Sequence, residues 1–267
     1  MSESVPARLY KYQPCNPQTL DNLKKRILWF SKPECFNDPF DGSMGYRLED
    51  ITDEEWQALA QFFAGKWPKG PIDFQRVHVT DEKPNEAFRK KALEGARLAS
   101  ENLVKWVKER GVACFSEKVD DLLMWAHYAD GHRGMCLEFD TRYGPFDKMT
   151  QKVEYSNHYP VVNIAKAVLG KTFTNVPELT TKADVWSYEK EWRLLHEQGN
   201  IEFQLDVEAL TGVYFGCAMS MVHIEIVALM LRGSPTKLYK MERSQVDFSV
   251  KPVAFEYHPF DYSNKDS

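Results

Sequence analysis

Short apolar stretches of alternating period recur along the chain, set apart by turn formers and by longer stretches of helical period. Leu9-Tyr10-Lys11-Tyr12 alternates in the manner of a half-buried strand. A helix follows, opened by Asn16 with Pro17 in its first position, where a missing backbone N–H costs nothing. Ile27-Leu28-Trp29-Phe30-Ser31 reads as a second strand stopped by Lys32-Pro33, and Phe36-Asn37-Asp38-Pro39-Phe40-Asp41-Gly42 as a polar elbow of turn formers. Thr52 with Glu55 predicts a capping box for a helix reaching about Gly65. Phe88, Ala92, Leu103, Trp106 and Val107 mark a second helix over 85–110, stopped by Gly111.

Beyond it the pattern predicts strands over 112–116, 134–140 and 153–155, with a short helix over 120–130 and another over 160–169. The last third holds strands over 192–196, 201–205 and 213–215, then a helix capped by Ser220 and running to Leu231. Stretches over 236–241 and 246–257 close the chain in β structure. Strands and helices mix without regular βαβ alternation, which predicts an α+β fold with a mixed, largely antiparallel sheet. The expectation is a single domain over 1–267 with a helical insertion at about 52–110.

Composition narrows the function classes. A hydrophobic share of 43% with 27% charged residues is that of an ordinary globular protein. The net charge of −5 argues against broad, sequence-independent binding of nucleic acid. Ile226-Val227-Ala228-Leu229-Met230-Leu231 is far shorter than the roughly 20 apolar residues of a membrane helix, and the first residues carry no apolar signal core. Five cysteines, an odd count without a C-x-x-C pair, point to reduced thiols in a cytoplasmic protein rather than to disulfides or a zinc site.

The familiar glycine-rich, metalloprotease and nucleophile-elbow motifs are absent. Three clusters interleave polar residues with aromatics instead. In the first, Asn37, Asp38 and Asp41 stand in the elbow. Its two carboxylates suit a metal or a sugar hydroxyl, or else an Asx-type turn whose Phe rings anchor the loop. In the second, Trp125, His127, Tyr128 and His132 surround the end of a short helix, and the five-residue spacing of the histidines does not place both on one face. These histidines therefore serve the helix end, binding either backbone or a ligand. In the third, period two sends Glu189, Glu191 and Arg193 to one side and Trp192 and Leu194 to the core. The charged row is either a solvated ion-pair ladder or a site.

Taken together, Leu9-Tyr10-Lys11-Tyr12, Leu28-Trp29-Phe30-Ser31, the elbow, Cys114-Phe115-Ser116-Glu117, Met124-Trp125, His127-Tyr128, His132-Arg133-Gly134, Tyr188 to Arg193 and Val213 to Gly216 resemble a bacterial domain-of-unknown-function family, twenty-nine seventy-one. That family brings no activity with it. The layout also resembles the ADP-ribosyltransferase class: an N-terminal strand with a basic or aromatic residue, a later strand ending in Ser, and a C-terminal strand bearing Glu. Glu189-Lys190-Glu191 is similar to the E-x-E of the arginine-directed members, whose second Glu is catalytic.

This second resemblance implies a split sheet, NAD as substrate and no metal. It makes Glu191 the catalytic carboxylate, Glu189 and Arg193 its partners, and Tyr12 and Tyr188 aromatic walls. Tyr10, Lys11 and Tyr12 are its candidates on the N-terminal strand, with Ser31 and Ser116 standing for the serine. It further implies a nucleotide ligand, a protein or nucleic-acid acceptor, and a toxin or defence role. Two other readings stay open: a metal-dependent nuclease or phosphoester hydrolase using Asp38, Asp41, Glu189, Glu191 and His127, and a non-catalytic ligand sensor.

Overall fold

Alternating strands that bury one face need a second layer, and the chain supplies it by interleaving helices with strands. The computed structural model describes residues 4–43, 45–47, 52, 54–56, 58, 59, 90, 101, 104–163 and 177–258. In chain order the strands begin as β1 (Arg8–Gln13), β2 (Ile27–Phe30), β3 (Gly45–Arg47), β4 (Gly111–Ser116), β5 (Met135–Asp140), β6 (Thr150–Lys152) and β7 (Glu154–Ser156). They continue as β8 (Val161–Asn163), β9 (Thr181–Ala183), β10 (Glu191–His196), β11 (Ile201–Gln204), β12 (Leu210–Phe215), β13 (Lys237–Arg243) and β14 (Val250–Ala254). Helices are α1 (Pro17–Lys25), α2 (Leu122–Tyr128), α3 (Phe146–Met149), α4 (Pro177–Thr180) and α5 (Met221–Met230).

The chain forms two compact units, Met1–Ser31 with Gly111–Val153 and Val185–Ser267, and Lys32–Arg110 with Glu154–Asp184. The first unit holds an eight-stranded sheet in the order β14-β13-β12-β5-β1-β4-β10-β6. Every neighbouring pair is antiparallel except β12 and β13, which run parallel. A parallel pair needs a crossover, and α5 provides it. This is the expected α+β fold with a mixed, largely antiparallel sheet.

Alternation along β1 separates the two faces of that sheet. Leu9 joins Phe115, Leu137, Phe139, Val213, Phe215 and Leu194 in the main core, covered by Leu23 of α1, Leu28 and Phe30 of β2, and Ile224 and Val227 of α5. Tyr10 and Tyr12 belong to the other face, packed with Cys136, Tyr214, Met241 and Trp125 of α2. Asn16 caps α1 as expected, accepting from the Thr19 N–H at 2.9 Å while the Thr19 hydroxyl takes the Asn16 N–H at 3.0 Å.

At the end of β5, Asp140 is 2% exposed at its side chain and accepts from Arg142 at 2.7 Å and Arg8 at 2.5 Å. Arg142, ahead of Arg8, holds this carboxyl well below the usual carboxylate range. A depressed folded-state value stabilises the fold fully above the unfolded value of about 4, and that contribution disappears as pH falls toward the folded value. Asp140→Asn should therefore lower stability at neutral pH and flatten the acid limb of the stability–pH curve, measured by urea unfolding across pH.

One end of the sheet is β14. Ser244 donates its N–H to the Ser249 carbonyl and Phe255 donates to Leu238, so hydrogen-bonded pairs alternate along β13 and β14 and the Met241–Pro252 pair is a non-bonded one. The missing N–H of Pro252 therefore belongs to the outward side.

The second unit contains two parallel pairs, β3 with β8 and β7 with β9. The expected capping box is present there: Thr52 N–H donates to Glu55 at 3.1 Å and Glu55 N–H to the Thr52 hydroxyl at 3.2 Å. Most of the helix expected over 85–110, including Phe88, Ala92 and Leu103, lies outside the described residues. The helix expected over 160–169 is corrected at its start, where Val161–Asn163 is a strand, and its remainder also lies outside them. No helix among the described residues is long and apolar enough to cross a membrane.

Candidate functional site

The sheet register assembles one row of residues across six strands of the first unit. Lys237 of β13 pairs with Gly212 of β12, Gly212 with Glu138 of β5, and Glu138 with Tyr10 of β1. Tyr10 then pairs with Ser116 of β4, and Ser116 with Glu191 of β10. Residues in register share a face, and strands are about 4.8 Å apart, so Tyr10, Ser116 and Glu191 fall within about 10 Å on one side of the sheet. Tyr10 and Ser116 are among the expected candidates, beside Lys11, Tyr12 and Ser31, and Glu191 is the expected carboxylate.

Each is tightly held. The carboxylate of Glu191 takes two charge-assisted hydrogen bonds from Arg193, from Nε at 2.9 Å and Nη2 at 3.0 Å. Glu191 is 4% exposed and Arg193 is fully buried. Of the two readings of the charged row, the solvated ladder does not hold: the alternation is right for Glu191 and Arg193, and both sit in the interior. Glu189 is not on the strand at all. It ends a 3-10 helix, Asp184–Glu189, and Lys190 turns the chain into β10 in the left-handed conformation, with φ of 47°.

Glu189 is buried as well and accepts from the Tyr128 hydroxyl at 2.5 Å. Ser116, also buried, donates its hydroxyl to the Glu189 carbonyl at 2.6 Å and accepts from the Lys118 N–H at 3.1 Å. The serine therefore fastens the 3-10 turn to β4. Tyr10 is half-buried, and burial, with the Glu138 carboxylate beside it, pushes its phenol up to about 12. Glu138 also accepts from Tyr214 and Thr211, each at 2.6 Å.

The second and third sequence clusters meet here. His127 on α2 lies 3.0 Å from the Tyr188 hydroxyl, and its ring contacts those of Tyr128, Trp186 and Tyr188 with centroids 6.2–6.3 Å apart. These four rings make an aromatic cluster whose Tyr128 reaches the buried carboxylate of Glu189. Tyr128→Phe leaves that carboxylate without one strong donor and should cost about 1.5–3 kcal/mol in denaturant unfolding. Trp186 carries no sequence signal that sets it apart, and only the ring contacts reveal its place in the cluster.

Other expected residues are placed differently. Tyr12 is no open wall, because its ring packs edge-on against Trp125 at 5.2 Å and its hydroxyl donates to the Lys118 carbonyl. His132 stacks on Trp125 with an interplanar angle of 13°, and burial lowers its pKa. The loop that holds it crosses the end of β12 so closely that a Cβ on Gly216 would lie 2.1 Å from the His132 carbonyl oxygen. Ser31 continues from β2 and bridges to Val112. Lys11 occupies the opposite face of β1 and donates to the Cys114 carbonyl at 3.3 Å.

In the second unit, the elbow forms the Asx-type turn: Asp38, buried, accepts from the Phe40 N–H at 2.9 Å. Phe40 is 60% exposed rather than an anchor, because the turn carries its ring outward. Asp38 and Asp41 line a cavity of about 600 Å³ with Pro33, Phe36, Lys108 and Tyr159, and Asp41 faces Lys182 at 3.9 Å. Asn37 lies on the same loop, exposed. Among the described residues there is no group of three or more His, Cys, Asp or Glu side chains that could hold a metal ion.

Residues 124–194 match the model of a family described as a protein of unknown function, DUF2971. That span includes all of α2 but its first two residues, β5, the aromatic cluster and the Glu191–Arg193 pair, in agreement with the family resemblance read from the sequence. No curated protein and no solved structure matches the chain.

Proposed function

We propose that the protein is a cytoplasmic NAD-using enzyme of ADP-ribosyltransferase-like chemistry, with Glu191 as its catalytic carboxylate. The observation that carries this reading is the register row that sets Tyr10, Ser116 and Glu191 side by side on β1, β4 and β10. Cleaving the bond between nicotinamide and ribose builds positive charge on the sugar. A carboxylate already oriented in a buried, low-dielectric setting stabilises that charge with little reorganisation. Arg193 fixes the carboxylate in place, and the rings of His127, Tyr128, Trp186 and Tyr188 offer flat, half-polar surfaces for a nicotinamide or adenine.

In this reading nicotinamide leaves with the bonding electrons of the glycosidic bond, and an acceptor nucleophile or water takes the ribosyl carbon. The acceptor then loses its proton to solvent or to a nearby base. The reading extends the resemblance at the level of the fold and rests on this site rather than on the family match. Release of nicotinamide from NAD is the test, followed chromatographically with water, a protein mixture and nucleic acid offered in turn. Release in at least one case is the expected result, and failure in all three overturns the proposal.

A further inference from the structure

Going beyond the proposed transferase site, we infer that a pocket on the opposite face of the sheet takes a small organic monocarboxylate through Lys11. A cavity of about 680 Å³ opens there, bounded by β1, α1 and β2, within the usual range for small-molecule sites. Leu28, Leu137, Phe139 and Leu205 give it apolar walls. Lys11 enters it from β1, with its ammonium 5.4 Å from the centre of the Phe115 ring and 3.3 Å from the Cys114 carbonyl.

Two observations point to a ligand of this charge and size. First, among the described residues no carboxylate lies in ion-pair contact with Lys11, and burial lowers its pKa despite the longer-range pull of groups that include the Glu191 carboxylate. A cation withdrawn from water with no carboxylate in contact is costly, and an incoming anion that touches it offsets that cost. Second, the lining carries Lys11 and Arg26 against Glu202 and Asp206, so the formal charges of the four cancel. A polyphosphate would meet two carboxylates there, whereas one carboxylate seated on Lys11 meets no excess repulsion. The compact ammonium of lysine suits a single charge, and Gln13 and Asn22 add amide hydrogen-bonding groups.

Phenylacetate and benzoate are suitable probes, with phenylacetamide as the neutral isostere. Trp29 lines the same cavity and reports occupancy by its fluorescence, and a thermal shift of the full chain gives a second readout. The wild type should bind phenylacetate or benzoate in preference to the amide. Lys11→Met should weaken that binding by roughly 10–100-fold, the loss of one charge-assisted hydrogen bond, without lowering the melting temperature of the ligand-free chain. Leu205→Phe keeps the amine but narrows the cavity, and it should also abolish binding, so the inference stays testable if Lys11→Met fails to fold. Equal binding of the amide, undiminished binding in either variant, or no binding of either carboxylate at millimolar concentration overturns it. None of these outcomes involves NAD turnover, so the two sites succeed or fail separately.

Discussion

Glu191→Gln is expected to reduce nicotinamide release from NAD by several orders of magnitude, a barrier increase of about 3–5 kcal/mol. The amide keeps the shape of the side chain but lacks the negative charge that meets the developing positive charge on the ribose. Because Glu191 is buried and doubly hydrogen-bonded to Arg193, the same change also carries a stability penalty, roughly 3 kcal/mol, since a buried guanidinium loses its counter-charge. Turnover is therefore compared well below the melting point of the variant, together with calorimetric NAD binding. A catalytic carboxylate lowers kcat and leaves the dissociation constant nearly unchanged. Turnover equal to wild type in folded variant would remove Glu191 from the chemistry.

Arg193→Met should produce the largest loss of stability in the first unit, about 3–5 kcal/mol, because it leaves the Glu191 carboxylate buried without its cation. For a chain of this size that corresponds to a fall in melting temperature of roughly 6–20 °C. Replacing both members, Arg193→Met with Glu191→Leu, should restore most of the stability, since an apolar pair of similar volume carries no desolvation cost. Differential scanning calorimetry of the two variants checks both statements. A melting temperature for Arg193→Met equal to that of wild type would show that the pair contributes nothing.

Local pattern reveals those parts of the structure that local physics decides. The alternation of Leu9 to Tyr12 was enough to predict β1, and the cap at Asn16 with Pro17 was enough to open α1. Placing Glu191 and Arg193 on one face also followed from period two. Their burial did not, because it depends on what packs over the strand, and a run of alternating charges looks the same whether covered or solvated. Glu189 escaped the same rule for a different reason. Lys190, at φ 47°, breaks the alternation between the two glutamates, and no residue type there announces a left-handed turn. The three-residue strands β3, β7, β8 and β9 are too short to show any period, so only their distant partners make them strands. Lys11 was visible as a cation in an apolar strand, but the cavity it enters is assembled from α1, β2 and β11, far along the chain from one another.

Pro252 bears on a hazard every open sheet faces. An edge strand offers a ladder of free donors and acceptors to any extended peptide, including one from a second molecule. On β14 the proline sits in a non-bonded pair, so the strand keeps all its bonds to β13 while its outward side loses a donor from the middle of the five-residue ladder. Lys251, next to it, adds a charge that a stacking strand would have to desolvate. The opposite end, β6, is only three residues long and presents too little backbone to template another strand. The sheet is thus self-terminating at both ends, which guards the chain against fibrous growth at no expense to its own pairing.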